Sequence, residues 1–273
     1  MLILHGKATR MENLTITLIQ ASLFWEERQK NLDHFRRLIE GISEPTDLIL
    51  LPEVFNHGFS INPEHCAEPI EGPSMQFLRE MAMTKKAAVA ATLLIHEGEI
   101  FVNRLLFCYP DGTFLTYDKR HLFRLSPEIR RIRRGEQRTV IPLKGWKLMP
   151  MICYDLRFPV WSKNRITGGE YEYDLLLILA NWPVVRSYAW KMLMVSRAIE
   201  NMAYTAGVNR VGKDGNGMDH TGDSMVVDPQ GKLLFQAPAG EECVHTVTLD
   251  YEEMREFRES YPFGLDWDHF TIH

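Results

Sequence analysis

Residues Asp47–Glu53 read DLILLPE. Four apolar residues stand unbroken between an acid and a proline, too few for a helix and bounded like a strand. A run of that kind forms a strand buried on both faces, because a strand with one wet face alternates apolar and polar residues. A doubly buried strand needs material above and below it, so this stretch already calls for a layered fold. A second run, Asp174–Ala180 (DLLLILA), gives the same reading more than a hundred residues later.

Working outward from these two runs, strand-like and helix-like segments alternate without a linker or low-complexity stretch. Leu14–Ala21 reads as a first strand. Glu27–Ile42 follows as a helix, with Leu32, Phe35, Leu38, Ile39 and Ile42 at helical spacing. Pro73–Lys85 is a second amphipathic helix. Ala87–Ile95 and Ile100–Tyr109 flank a Glu-Gly-Glu turn, and Pro110-Asp111-Gly112 turns into Thr113–Asp118. Trp146–Ile152 is an apolar strand with a helix expected after Tyr154, and a further helix is expected over Ser187–Met202. Ala203–Asn209, Asp223–Asp228, Lys232–Phe235 and Val244–Leu249 read as strands, and a short acidic helix starts at Tyr251. Hairpins mixed with strand–helix units indicate an α+β layered sandwich in one domain over residues 11–273, with residues 1–10 as an N-terminal extension. No internal repeat is evident, and Gly212–Gly217 (GKDGNG) reads as a flexible loop that fits neither a Walker nor a Rossmann pattern.

The 273 residues are 45% hydrophobic and 25% charged, a globular profile. A net charge of −5 argues against general nucleic-acid binding, which depends on neutralising phosphates. Four scattered cysteines without a CxxC pair fit a reducing compartment and no disulfide framework or zinc knuckle. The opening residues lack a signal-peptide pattern and no apolar run is long enough to span a bilayer. The expectation is a cytoplasmic protein with no membrane contact. The ten histidines form no HExxH pattern, so no metal site is expected.

Three polar residues each follow a predicted strand: Glu53 after LILLP, Lys119 after TFLTYD and Cys153 after LMPMI. Strand ends of layered α/β proteins are where loops present reactive groups from a rigid sheet. Taken singly, each has an ordinary reading: a core thiol, a helix cap, a surface lysine. Taken together they suffice for acyl transfer. Glu53 would take the thiol proton and return it to a leaving amine, and Lys119 would lower the thiol pKa and stabilise an oxyanion. The main-chain N–H of Tyr154, at a helix start, would be the second oxyanion donor.

The blocks LPEVFNHGF around Glu53, YDKRHLF around Lys119 and MICYDLRFP around Cys153 resemble the signature blocks of the nitrilase-like carbon–nitrogen hydrolase superfamily. SRAIENMAYTAGVNRVG (Ser196–Gly212) and HTGDSMVVDPQGKLL (His220–Leu234) extend the resemblance along nearly the whole chain from Leu14. It implies a four-layer αββα sandwich, hydrolysis of a non-peptide C–N bond through a thioester, no cofactor, and dimers joined across C-terminal-side helices. It also implies a second glutamate. Glu128, seven residues before Gly135, matches best and would position or balance Lys119; Glu136 is the competitor. Arg157, in CYDLRFP, could bind a substrate carboxylate bidentately but is read through the family as structural, pairing within the elbow, and Asp155 as a first-turn helix acid.

The NWP block after the strand at Asp174 and the RHLFR block after Lys119 most resemble the omega-amidase branch, whose members deamidate 2-oxoglutaramate and 2-oxosuccinamate. Phe123 and Trp182 are candidate pocket walls, and Arg186 a candidate partner for an acidic substrate, with Arg124 nearby. A different amidase or an N-carbamoyl hydrolase for another small acid is the alternative enzyme. From another class altogether, the Lys119–Arg138 segment carries eight Lys/Arg in twenty residues and would suit a nucleic acid or acidic partner.

Overall fold

The computed structural model describes residues 11–60 and 62–272. The expected extension at residues 1–10 lies outside the described residues. The first half of the chain gives β1 (Leu14–Gln20), α1 (Arg28–Glu40), β2 (Leu48–Leu50), α2 (Pro73–Lys85), β3 (Ala88–Glu97), β4 (Ile100–Cys108) and β5 (Phe114–Asp118). The second half gives β6 (Ile141–Leu143), β7 (Trp146–Ile152), β8 (Leu175–Ala180), α3 (Ser187–Asn201) and β9 (Tyr204–Asn209). It ends with β10 (Met225–Val227), β11 (Leu233–Gln236), β12 (Cys243–Leu249) and α4 (Tyr251–Ser260).

These strands form two six-stranded sheets, ordered β12-β1-β2-β3-β4-β5 and β11-β10-β9-β8-β7-β6. The period of two explains the opening run. Leu48 and Leu50 join Leu14, Ile16 and Leu18 in the core shared with the second sheet. Ile49 and Leu51 point the other way, into a second core with Phe35 and Ile39 of α1 and Phe77, Leu78 and Met81 of α2. On the far side, Trp190, Met194 and Ala198 of α3 bury against the second sheet. The order is helix, sheet, sheet, helix: an α+β sandwich of four layers. Truncating Leu50 to Ala, at 0% exposure, would cost about 2–5 kcal/mol through lost transfer energy and a cavity.

Two segments differ from their sequence reading. The helix expected after Tyr154 is a 3-10 turn (Cys153–Arg157) followed by the single helical turn Pro159–Ser162. Pro159 is the cause: it lacks an N–H and pushes Phe158 into an extended conformation. Gly212–Gly217 is not a free loop. It belongs to the hairpin Val211–Lys213/Asp219–Thr221, which docks on Trp25 so closely that a Cβ at Gly215 would lie 2.4 Å from the indole.

Candidate active site

β7 delivers Cys153 to the rim of the second sheet, where the chain turns sharply with Cys153 at φ +45°. The turn is held from below. Asp155, buried, accepts hydrogen bonds from the main-chain N–H of Ile152 (3.1 Å), from Tyr117 Oη (2.8 Å) and from the His121 N–H (2.8 Å). It is the first-turn acid expected from its position and also a hub tying the elbow to the first sheet. Arg197, in the SRAIEN block, donates twice to the Leu156 carbonyl (2.8 and 3.1 Å) and fixes the other end of the turn.

The first sheet supplies the charged groups. Glu53, fully buried after β2, accepts from Lys119 Nζ (2.9 Å) and Asn103 Nδ2 (2.9 Å) through Oε1, and from the Asn181 N–H (3.0 Å) through Oε2. Lys119 leaves the end of β5 and also meets Glu128 Oε1 at 3.0 Å. Gly135 is required beside it, because a Cβ there would fall 2.1 Å from the Asp118 carbonyl oxygen. Glu128 Oε2 in turn accepts the Phe123 N–H at 2.5 Å, so the same carboxylate holds the loop that walls the cavity. Glu136 is exposed and lines a separate cleft with Arg120 and Arg134.

A cavity of about 540 Å³ opens over these groups, and Glu53, Lys119 and Cys153 all line it. Tyr154, Phe123, Trp182 and Arg186 line it too. Arg186 stacks over the Phe123 ring (5.1 Å to the centroid) and Arg157 over Trp182 (4.7 Å). Arg157 does not pair within the elbow as expected: its head lies in the cavity, and among the described residues neither arginine forms an ion pair. Arg124 is exposed and lies outside the lining. The lining residues that sequence reading did not single out include Trp25, Glu26, Phe59, Asp214 and His220. Phe59 and His220 lie inside blocks already quoted, but their place on the cavity depends on contacts between segments far apart in the sequence.

Burial dominates the electrostatics. It opposes the charge on Lys119, but Glu128 and Glu53 outweigh it and hold the ammonium above its ordinary range. Burial raises Glu128, with Lys119 pulling the other way and Glu53 reinforcing the rise. Burial, followed by the Glu53 charge, holds the Cys153 thiol well above its ordinary value, against the counteracting Lys119. The expected lowering by Lys119 is real but is not the larger effect. The Cys153 Sγ sits 3.7 Å from the Asn181 carbonyl oxygen.

Much of the basic Lys119–Arg138 segment is committed internally. Arg131 pairs with Glu64, Arg133 with Glu97 (3.0 Å) and Arg138 with Glu172 (2.6 Å), while Lys119 is buried. Among the described residues no helix is long and apolar enough to cross a membrane.

The carbon–nitrogen hydrolase family pattern matches residues 15–259 of the chain. Omega-amidase YafV of Yersinia enterocolitica is 41% identical over 262 residues, covering 96% of this chain and 100% of that protein. The 2-oxoglutaramate amidase of Bacillus subtilis is 29% identical over 251 residues, covering 91% of this chain and 95% of that protein. Among solved structures, XC1258 from Xanthomonas campestris superposes with a TM-score of 0.94 at 40% identity, covering 96% of this chain and 100% of that one. It is described as a CN-hydrolase superfamily protein with an arsenic adduct in its active site. With the sandwich and the cluster of Cys153, Glu53, Lys119 and Glu128 in place, these matches show that the chain belongs to the carbon–nitrogen hydrolase family of the nitrilase superfamily and is a hydrolase of carbon–nitrogen bonds.

Proposed function

We propose that the chain is an amidase that hydrolyses the terminal amide of a small 2-oxo acid, such as 2-oxoglutaramate or 2-oxosuccinamate, to the dicarboxylate and ammonia. The observation that carries this reading is a cavity holding both a thiol–carboxylate–ammonium cluster and two guanidiniums free of ion pairs, Arg157 and Arg186. An unpaired, partly buried guanidinium is costly unless an anion meets it, and a substrate carboxylate at the far end of the molecule fits that need. The names of the relatives support the same substrate class.

In this mechanism Glu53 takes the Cys153 proton as Sγ attacks the amide carbon. The raised thiol makes the concerted removal of the proton necessary. The tetrahedral oxyanion is stabilised by Lys119 Nζ and the Tyr154 N–H. Glu53 then gives its proton to the leaving nitrogen, the C–N bond breaks, and ammonia departs from a Cys153 thioester. Water, deprotonated by Glu53, attacks the thioester carbon. The product leaves as the acid and loses its proton to solvent, and the thiolate recovers its proton from Glu53. Glu128 holds Lys119 and the Phe123 loop in place throughout.

The four free cysteines support the reducing cytoplasm as the setting. Val185 (69% exposed), in the 3-10 turn before α3, and Tyr188 (78%) and Met192 (45%) of α3 form an apolar patch that suits a second copy of the chain. Sedimentation of wild type against Tyr188→Glu tests it, with a dimer expected only for the former.

The substrate test is ammonia release from a panel of 2-oxosuccinamate, neutral aliphatic amides, carbamoyl acids and nitriles. Preferred turnover of 2-oxosuccinamate is the expected result. Preference for neutral amides or carbamoyl acids would replace the substrate reading and leave the cysteine chemistry standing.

A further inference from the structure

Asn103 sits in the middle of β4, 1% exposed, and touches both catalytic charges through different groups. Its side-chain Nδ2 donates to Glu53 Oε1 at 2.9 Å, and its main-chain carbonyl accepts the Lys119 N–H at 2.9 Å. The orientation of the amide follows from chemistry, since the reversed group would set an oxygen against the carboxylate. The other end of the amide, Oδ1, is buried with no partner among the described residues. An unmade bond at a buried acceptor works against the fold, and a leucine of similar size would avoid it. The polar side chain therefore contributes through its N–H alone.

The occupancy of the two Glu53 oxygens shows what that N–H does. Oε1 receives both Lys119 Nζ and Asn103 Nδ2, whereas Oε2 receives only the Asn181 main-chain N–H. Two strong donors saturate one oxygen and leave the other with an open lone pair.

We propose that Asn103 is a positioning residue for the reaction: by occupying Oε1 it orients the Glu53 carboxylate and presents Oε2 as the oxygen that exchanges protons with the thiol and the leaving nitrogen. This rests on the reading of Glu53 as the general base. Nothing in the YDKRHLF or LPEVFNHGF blocks points to it, because Asn103 lies between them on a strand that reads as ordinary core.

The test uses Asn103→Leu and Asn103→Asp in the full chain, with 2-oxosuccinamate and a neutral amide as paired substrates and thermal melts to establish folding. Asn103→Leu is expected to lower kcat by about 10- to 100-fold, the scale of a hydrogen bond to a charged group, with KM nearly unchanged. The acidic limb of its kcat/KM profile moves to higher pH, because the carboxylate has lost a donor that favours its charged form. Asn103→Asp donates only when protonated, so its activity relative to wild type rises as the pH falls. Wild-type kcat with an unmoved limb in Asn103→Leu, or a flat pH ratio for Asn103→Asp, overturns the proposal. Full turnover in Glu53→Gln would instead remove the general-base reading itself, a separate outcome.

Discussion

From one edge to the other, the first sheet runs β5, β4, β3, β2, β1, β12 and the second runs β11, β10, β9, β8, β7, β6. In both, the pairings go antiparallel, antiparallel, parallel, parallel, antiparallel. The registers agree as well: Ile16 faces Leu48 and Leu48 faces Ala88, as Leu148 faces Leu175 and Leu175 faces Tyr204. Even the entry to the central strand repeats. The Asp47 carboxylate accepts the Thr15 N–H at 2.9 Å, and the Asp174 carboxylate accepts the Lys147 N–H at 3.0 Å. In this superposed register Ala21 stands where Cys153 stands, and Ala180 where Glu53 stands. One scaffold is used twice, and the site is assembled only where the two copies meet. In the mechanism we propose, the first contributes the proton-handling groups Glu53 and Lys119. In the same mechanism the second contributes the bond-forming thiol, with Trp182 and Arg186 on the substrate side of the cavity.

That division gives an ordered set of expectations. The largest effect falls on the second sheet's rim: Cys153→Ala should lose at least about 10⁴-fold in turnover, as expected for loss of a covalent nucleophile. Ser22→Ala, next to the matching position in the first sheet, should leave turnover unchanged; an equal loss in both would break the comparison. Next come the first sheet's groups. Glu53→Gln and Lys119→Ala should each lower kcat by on the order of 10²-fold or more, read by steady-state kinetics. Smaller again is the anchoring of substrate charge by the second sheet. Arg186→Gln or Arg157→Gln should lower kcat/KM for 2-oxosuccinamate by roughly 10- to 150-fold, while a neutral amide changes little.

The smallest effect concerns stability, with one histidine on each side. His57, in the loop after β2, and His220, in the hairpin after β9, are each pushed down to about 4, chiefly by burial. Both are neutral in the fold, while the unfolded chain takes up their protons near pH 6.5. The unfolded state thus binds more protons between those values, and stability falls as the pH drops from the upper to the lower. At about pH 5.5 the loss is on the order of 1 kcal/mol per histidine. Melting curves near neutrality and at that pH measure it, and His57→Gln should remove its share of the difference.

Much of this was legible in the sequence for local reasons. DLILLPE and DLLLILA announce buried strands because no residue in them tolerates water, and a reactive side chain directly after such a strand is placed by the sheet itself. The bounds of α2 follow from Pro73 at its first turn, and its end from the left-handed Lys86. The duplicated sheet was not legible, because the two halves share pairing geometry and an aspartate but few side chains. The Trp25 wall escaped notice for a related reason: Gly215 approaches it from nearly two hundred residues away, and a glycine-rich hairpin looks like slack chain until its partner is known. Asn103 was hidden by its setting in an apolar strand, where its two roles depend on contacts across the sheet.

Cys153 occupies a left-handed backbone conformation. A residue with a side chain pays roughly 1–2 kcal/mol there, a penalty glycine escapes. Selection for turnover therefore holds the fold away from its own optimum at this position. Cys153→Gly, though inert as an enzyme, should melt at a higher temperature than Cys153→Ala, and the gap between the two measures how much durability the working protein forgoes in order to present its sulfur.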